Sequence, residues 1–300
     1  MSDIREPPLK VLFIAGVSHC GSTILGTILG QLDGFFFAGE LAHTARSLER
    51  DRLCGCGEPL RSCPCWERIF AAAQPLAVED LRLRHRHERA RAAYAHGLRA
   101  RGLLRSTPDL ERARRAYGAA LCGIRRATGC RVVVDGSKSP AYGRLLQSLD
   151  DVDLHVVHIV RDPRATAWSW ERTPPMPPTR PAQLAVIWDV WNTSIELLWS
   201  RRRERYLRIR YEDFAAQPEA WVRRIIDLAG EKPTGLPFVS GREVVLEATH
   251  DVEGHPHRHE LRGRVDIRAN DNWRSPGAVR QRRSLAALTW PLRVRYGYRG

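Results

Sequence analysis

Val11-Leu12-Phe13-Ile14-Ala15-Gly16-Val17-Ser18-His19-Cys20-Gly21-Ser22-Thr23-Ile24-Leu25 is the stretch that decides how this chain is read. Val11 to Ala15 is an uninterrupted apolar run of strand length. Ile24, Leu25, Ile28, Leu29 and Leu32 then recur at helical spacing. Between them lies a loop opened by Gly16 and closed by Gly21. The order predicted is buried strand, glycine loop, helix. Backbone N–H groups of such a loop turn inward and the helix start adds partial positive charge. Together they suit phosphate or sulfate oxygens.

Gly16 and Gly21 have the spacing of a nucleotide-binding P-loop, but Ser22 stands where that motif carries its phosphate-gripping lysine. That exchange points to an anionic nucleotide bound for something other than ATP hydrolysis. Residues 34–40 read as a short apolar strand ending in Glu40. Further strands are predicted over 131–134, 155–160 and 206–209, each followed by a helical stretch, 140–149, 163–171 and 212–229. Strands alternating with helices imply an α/β fold, a parallel sheet flanked by helices on both faces. Residues 16–23, 136–140 and 161–164 then fall at carboxyl ends of strands, where ligands gather in such sheets.

Residues 66–73 and 79–129 read as a helical insertion with a helix start at Thr107-Pro108-Asp109-Leu110-Glu111. The proline-rich stretch 173–181 is a stiff loop, either linker or lid. Leu184, Ile187, Trp188, Trp191, Ile195, Leu198 and Trp199 then form one apolar helical stripe, read as core. The whole chain, 1–300, is expected to be one domain. Its parts are an anion-binding unit over 10–40, the helical insertion over 66–129, and the rest of the core with a C-terminal closing loop over 131–300.

The net charge is +14, and only Lys10, Lys138 and Lys232 of the 48 basic residues are lysine. The charge reads as an arginine-rich surface or as attraction for a polyanionic ligand. No helix-turn-helix, zinc-finger or RNA-recognition signature accompanies it, which argues against a nucleic-acid partner. The N-terminal residues form neither signal nor transit peptide, and no apolar stretch spans a bilayer. A cytoplasmic protein without a membrane partner is expected. Of seven cysteines, Cys20, Cys122 and Cys130 are scattered, while Cys54, Cys56, Cys63 and Cys65 cluster. Zinc, a local disulfide, or reduced thiols packing a tight loop all fit that cluster. His250, His255, His257 and His259 lack a matching carboxylate pattern, so no metal ligand is assigned.

Three segments carry a family resemblance. His19-Cys20-Gly21-Ser22-Thr23-Ile24-Leu25 follows the first strand. Arg161-Asp162-Pro163-Arg164 with Ser169 follows a later one, and Arg210-Tyr211-Glu212-Asp213-Phe214 a third. In that order they resemble the sulfotransferases that use 3′-phosphoadenosine 5′-phosphosulfate, in particular bacterial members related to the tyrosylprotein and carbohydrate enzymes. The resemblance runs from residue 10 to about 290 and is weakest over the helical insertion.

It implies that donor as co-substrate, no required metal, and an acceptor hydroxyl on a small molecule or glycan. It also implies in-line transfer, with catalysis by positioning and charge stabilisation. Ser18, His19, Cys20, Gly21, Ser22 and Thr23 would hold the 5′-phosphosulfate, and Arg161 with Ser169 the 3′-phosphate. Tyr211 is read as an adenine contact or a core tyrosine. Residues 254–258 and 268–273 resemble the family's basic closing loop, where Arg258 and Arg264 could reach the 3′-phosphate. Glu40 is the expected general base, with His43 in reserve and Asp135 a weaker candidate; the alternative for Glu40 is a helix-start acid. Lys138 would stabilise charge on the transferring group.

Two residues depart from the family. His19 stands where arginine or lysine helps hold the bridging oxygen, and can do so only as a cation or as a neutral N–H donor. Cys20 replaces serine and is read as filler, not nucleophile. The rival readings are a P-loop small-molecule kinase, which needs a loop lysine and Mg²⁺ ligands, and a non-enzymatic nucleic-acid binder resting on the charge.

Overall fold

β1 (Leu9–Ala15) is the middle strand of a five-stranded, all-parallel sheet in the order β2-β3-β1-β4-β5. Its partners are β2 (Phe35–Gly39), β3 (Val132–Lys138), β4 (Val152–Val160) and β5 (Tyr206–Arg210). The computed structural model describes residues 7–83, 107–173, 180–275 and 279–298. Within them the helices are α1 (Ser22–Leu29), α2 (Thr44–Glu49), α3 (Pro64–Ala72), α4 (Pro108–Thr128), α5 (Pro140–Gln147), α6 (Pro163–Glu171), α7 (Pro181–Trp199), α8 (Tyr211–Ala216), α9 (Pro218–Ala229), α10 (Val279–Leu288) and α11 (Trp290–Arg295).

A central strand covered on both faces needs apolar residues at every position, and alternation sorts them between two cores. Val11, Phe13 and Ala15 pack with Trp66, Tyr117, Tyr142 and Trp199, from α3, α4, α5 and α7. Leu12 and Ile14 face the other way, onto Leu25 and Ile28 of α1, Phe214 of α8 and Ile225 of α9. The predicted α/β sandwich is therefore the one observed.

Local chemistry accounts for most boundaries. Six of the described helices begin with proline, where its missing N–H costs no helical bond. Thr107 Oγ1 accepts from Leu110 N–H at 3.3 Å, capping α4 where the sequence placed a helix start. The stretch read as one helix over 212–229 is two, because Pro218 cannot continue α8 and starts α9 instead. The middle of the insertion, 84–106, and most of the proline loop, 174–179, lie outside the described residues. Elements that were not anticipated include α2, α10, α11 and the antiparallel pair β6 (Glu243–Leu246) and β7 (Gly263–Asp266). Val244 and Leu246 of β6 extend the core around α1 and α9. Among the described residues no helix is long and apolar enough to cross a membrane.

Both β3 pairings slip by one residue near their carboxyl ends. Phe13 aligns with Asp135 but Ala15 with Lys138, and Phe37 aligns with Val134 but Gly39 with Asp135. Slips of this kind bend a strand end and re-aim its side chains. They set the directions of Lys138 and Glu40.

His158 of β4 is fully buried. Its Nδ1 lies 2.8 Å from the Tyr206 hydroxyl and its Nε2 2.9 Å from Asn192 Oδ1. The Asn192 amide donates to the Trp188 carbonyl, which leaves Oδ1 to accept from Nε2–H of a neutral ring. Burial, the largest cause, pushes the His158 pKa from 6.5 down to about 3. The unfolded chain therefore binds the extra proton first as pH falls, and stability drops between pH 6.5 and about 3. His158→Gln is expected to flatten that decline by up to ~1.4 kcal/mol per pH unit, the limit for one proton. Urea unfolding across the window checks it, and an unchanged slope would remove His158 as a cause.

Candidate active site

Residues 16–21 close over the carboxyl end of β1. Cys20 N–H donates to the Val17 carbonyl at 3.2 Å, turning the chain over Ser18 and His19. His19 (φ 67°) and Gly21 (φ 98°) both have left-handed backbone. Gly21 has a second constraint, because a Cβ there would lie 2.6 Å from Cε2 of the Tyr211 ring. Ser22 and Thr23 open α1, whose first N–H groups have no partner within the helix. Cys20 is buried among apolar side chains, and burial pushes its thiol pKa up. That fits filler.

Arg161 leaves β4 beside this loop and its Nη1 donates to the His19 carbonyl at 2.9 Å. The guanidinium lies over the Tyr211 ring, 4.4 Å from its centroid. It is buried, its Nε has no hydrogen-bond partner, and no carboxylate lies within ion-pair distance among the described residues. It makes no ion pair with Asp162 beside it or with Glu171 of α6. Asp162 instead caps α6 through Arg164 N–H at 2.8 Å and pairs with the Arg164 guanidinium at 2.7 Å. Ser169, two turns along α6, has its Oγ 3.2 Å from His19 Nδ1. His19 thus touches both Arg161 and Ser169, the two residues expected on a 3′-phosphate. Burial first, then the charges of His255, Lys138 and Arg161, push His19 down to about 4. The ring is neutral near neutral pH, so of its two anticipated roles only the N–H donor fits.

Glu40 and Lys138 meet across the sheet edge. Lys138 Nζ donates to Glu40 Oε1 at 2.6 Å and to the Gly136 carbonyl at 3.0 Å. Lys138 is buried, not solvated, and takes a left-handed φ of 66° at the end of β3. Glu40 stands at the N-cap of the short turn Leu41–His43 but makes no side-chain capping bond to it. Its Oε2 lies 3.5 Å from His43 Nε2, which groups the reserve base with it. Asp135 is fully buried and accepts from Ser137 N–H, the Ser137 hydroxyl and, at 2.8 Å, the Tyr142 hydroxyl. It braces the strand end.

The segment after residue 249 comes over the loop, as a closing loop should. Val252 N–H donates to the Ala38 carbonyl at 3.0 Å, and Glu40 N–H to the Val252 carbonyl at 2.7 Å. The His255 ring centroid is 6.0 Å from that of His19. The two arginines expected on a phosphate are placed otherwise. Arg258 pairs with Asp251 at 3.0 Å and donates to the Leu53 carbonyl, fastening the segment to the cysteine loop. Arg264 lies on exposed β7 and pairs with Glu243 at 3.3 Å.

A loop with an anion-ready backbone, a buried arginine without a carboxylate and a carboxylate–ammonium pair thus share one sheet edge. A family model described as the sulfotransferase family matches residues 12–234. The chain belongs to the sulfotransferase family. Two solved structures share its fold. One is the sulfotransferase domain of the Synechococcus PCC 7002 olefin synthase, at 21% identity, 97% coverage of each chain and a TM-score of 0.51. The other is the sulfotransferase domain from the curacin biosynthetic pathway, at 17% identity, 94% coverage of this chain, 97% of that one and a TM-score of 0.51. No curated protein matches.

Sequence reasoning passed over two supports of this sulfotransferase site. Glu212 accepts from Asp162 N–H at 3.1 Å and from the Tyr298 hydroxyl at 2.7 Å, tying the ends of β4 and β5 to the C-terminus. Trp188 and Trp191 donate to the carbonyls of Arg161 (3.0 Å) and Lys138 (3.3 Å), fixing the backbone of both. Their place in the apolar stripe hid that role; only the indole N–H could have signalled it.

Gly21→Ala combines a strained φ with the clash against Tyr211. It is expected to cost about 1–3 kcal/mol of stability. In a Tyr211→Ala background the cost should shrink, because only the backbone strain remains. A double-mutant cycle by chemical denaturation measures the difference; strict additivity would show that the ring does not constrain the loop.

Proposed function

We propose that the protein transfers a sulfuryl group from 3′-phosphoadenosine 5′-phosphosulfate to an acceptor hydroxyl on a small molecule or glycan. The observation that carries this reading is the contact between Arg161 and the His19 carbonyl, at 2.9 Å. It sets a cationic corner against the glycine loop, within the span of one doubly anionic nucleotide. A 3′-phosphate beside Arg161 and Ser169 would supply the anion that the buried guanidinium lacks. The 5′-phosphosulfate would take the N–H groups and hydroxyls at Ser22 and Thr23. Tyr211, stacked on Arg161, would border the adenosine. Arg258 and Arg264 keep their carboxylate partners in this assignment.

Chemistry falls to Glu40 and Lys138. An ammonium has three donors, and Glu40 and Gly136 take two of Lys138's, which leaves one for charge developing on the transferring group. Glu40 would accept the acceptor's proton as the new S–O bond forms. Neutral His19 would donate from Nε2 to the bridging oxygen while Nδ1 accepts a hydrogen bond from the Ser169 hydroxyl. The kinase reading lacks its loop lysine. The nucleic-acid reading is weakened by surface pairing, since Arg46, Arg82, Arg112 and Arg223 each hold a carboxylate.

Calorimetry with 3′-phosphoadenosine 5′-phosphate tests the donor side. Arg161→Ala is expected to lower affinity about ten- to hundred-fold, the worth of a charged hydrogen bond. Stabilisation by ATP–Mg²⁺ instead would favour the kinase. For the acceptor side, Glu40→Gln keeps an oxygen for Lys138 and should leave nucleotide affinity intact. Sulfuryl transfer from labelled donor to a panel of phenols and sugars should slow by roughly two to four orders of magnitude. Near-normal turnover would remove Glu40 as the base.

A further inference from the structure

The cysteine cluster does not close on itself. Cys65 is buried in the apolar core around Trp66. Cys54, Cys56 and Cys63 instead converge with His250, far along the chain, and the four candidate ligand atoms all lie within 4.8 Å of one another. All seven cysteines are free, so no disulfide accounts for the convergence.

We propose that Cys54, Cys56, Cys63 and His250 bind one structural zinc ion. The spacing of the ligand atoms carries the argument. Tetrahedral zinc, with Zn–S of ~2.3 Å and Zn–N of ~2.0–2.1 Å, sets S···S edges of ~3.8 Å and S···N edges of ~3.6 Å. Cys56 Sγ and Cys63 Sγ are 3.8 Å apart. His250 Nδ1 lies 3.3 Å from Cys63 Sγ and 3.9 Å from Cys54 Sγ. These three of the six edges lie near those of a Cys₃His tetrahedron, the other three are within 4.8 Å, and 3.8 Å is nearly twice a disulfide bond.

The surroundings hold the ligands as a metal site requires. Cys54 N–H donates to the Glu58 carbonyl at 2.8 Å and Gly57 N–H to the Cys54 carbonyl at 2.9 Å, folding a tight turn that carries the first two thiols. Gly55 permits close approach of the histidine strand, since a Cβ there would lie 2.5 Å from the Thr249 carbonyl oxygen. Gly55 N–H donates to the Asp251 carbonyl at 3.0 Å, and Trp66 Nε1 to the His250 carbonyl at 2.7 Å. Three thiolates and a neutral imidazole on Zn²⁺ leave one net negative charge. The Arg262 guanidinium faces it, donating to the carbonyls of Gly55 (3.0 Å) and Cys56 (3.1 Å).

The ion's role follows from its place. It would pin the cysteine turn to the closing segment, two residues before Val252, whose carbonyl accepts from Glu40 N–H. Zinc here latches the segment that borders the active site and has no open position for substrate. The inference stands independently of sulfuryl transfer.

Protein purified without chelator from zinc-supplemented medium should contain about one zinc per chain by plasma mass spectrometry. Cys63→Ser and His250→Ala should each bring the content close to zero, while Cys65→Ser and Cys122→Ser should keep it. Cobalt substituted into the intact protein should give the absorption of a tetrahedral thiolate site, which keeps the test open if a cysteine variant fails to fold. Chelation should lower the melting temperature and zinc, but not magnesium, should restore it. Zinc-free protein with seven titratable thiols, a Cys56–Cys63 disulfide found by mass spectrometry, or zinc retained in both ligand variants would each overturn the proposal.

Discussion

A guanidinium buried without a carboxylate organises this structure. Burying an unpaired charge is costly, and proteins ordinarily answer with a salt bridge. At Arg161 the answer is partial: one carbonyl at 2.9 Å and the face of one tyrosine at 4.4 Å. Several neighbours are arranged so that no acid reaches it. Asp162 is adjacent in sequence, yet it is turned into α6 as a cap and locked there by Arg164. Glu212 is near, yet both of its oxygens are engaged, by Asp162 N–H and by the Tyr298 hydroxyl. The fold withholds a carboxylate from Arg161 by engaging Asp162 and Glu212 elsewhere.

The second constraint lies two strands away. Glu40 and Lys138 project toward each other because the register slips at the ends of β2 and β3. In an unslipped parallel pair, successive side chains alternate faces along the strand. One extra residue in β3 and the left-handed φ of Lys138 bring the ammonium to the carboxylate. A strained backbone persists only where its surroundings over-determine it. Here the Trp191 indole holds the Lys138 carbonyl and Gly136 holds the ammonium.

Much of this was legible in the sequence, for identifiable reasons. The apolar run of β1 and the glycines after it imposed the strand–loop–helix unit. The Thr107-Pro108 start and the helical stretches opening at Pro140 and Pro163 were read where the helices begin, whereas the starts at Pro181 and Pro218 were not. Glu40, Lys138 and Arg161 were singled out through the family resemblance, and each lies at or just beyond the carboxyl end of a strand. What stayed hidden depends on partners distant in the chain. Glu212 needs Tyr298, and the cysteine turn needs His250, separated from Cys54 by 196 positions. Arg258 illustrates the opposite case. A basic residue in a closing loop suits a phosphate, but Asp251 sits close enough to claim it. Local spacing specifies an element and its end; it does not specify which of several acids a given arginine will meet.

The histidine in place of the family's usual arginine or lysine follows from the same electrostatics. Arg161 touches the His19 carbonyl, and the charges of both Arg161 and Lys138 act to keep the His19 ring unprotonated. A third cation at that position would be buried beside two others, with the Glu40 carboxylate offsetting part of the cost. A neutral imidazole avoids the repulsion and still offers an N–H, because the Ser169 hydroxyl can donate to Nδ1 and leave the ring proton on Nε2. The loop thereby keeps an uncharged N–H donor beside the Arg161 guanidinium and the Lys138 ammonium, where a further cation would meet repulsion from both.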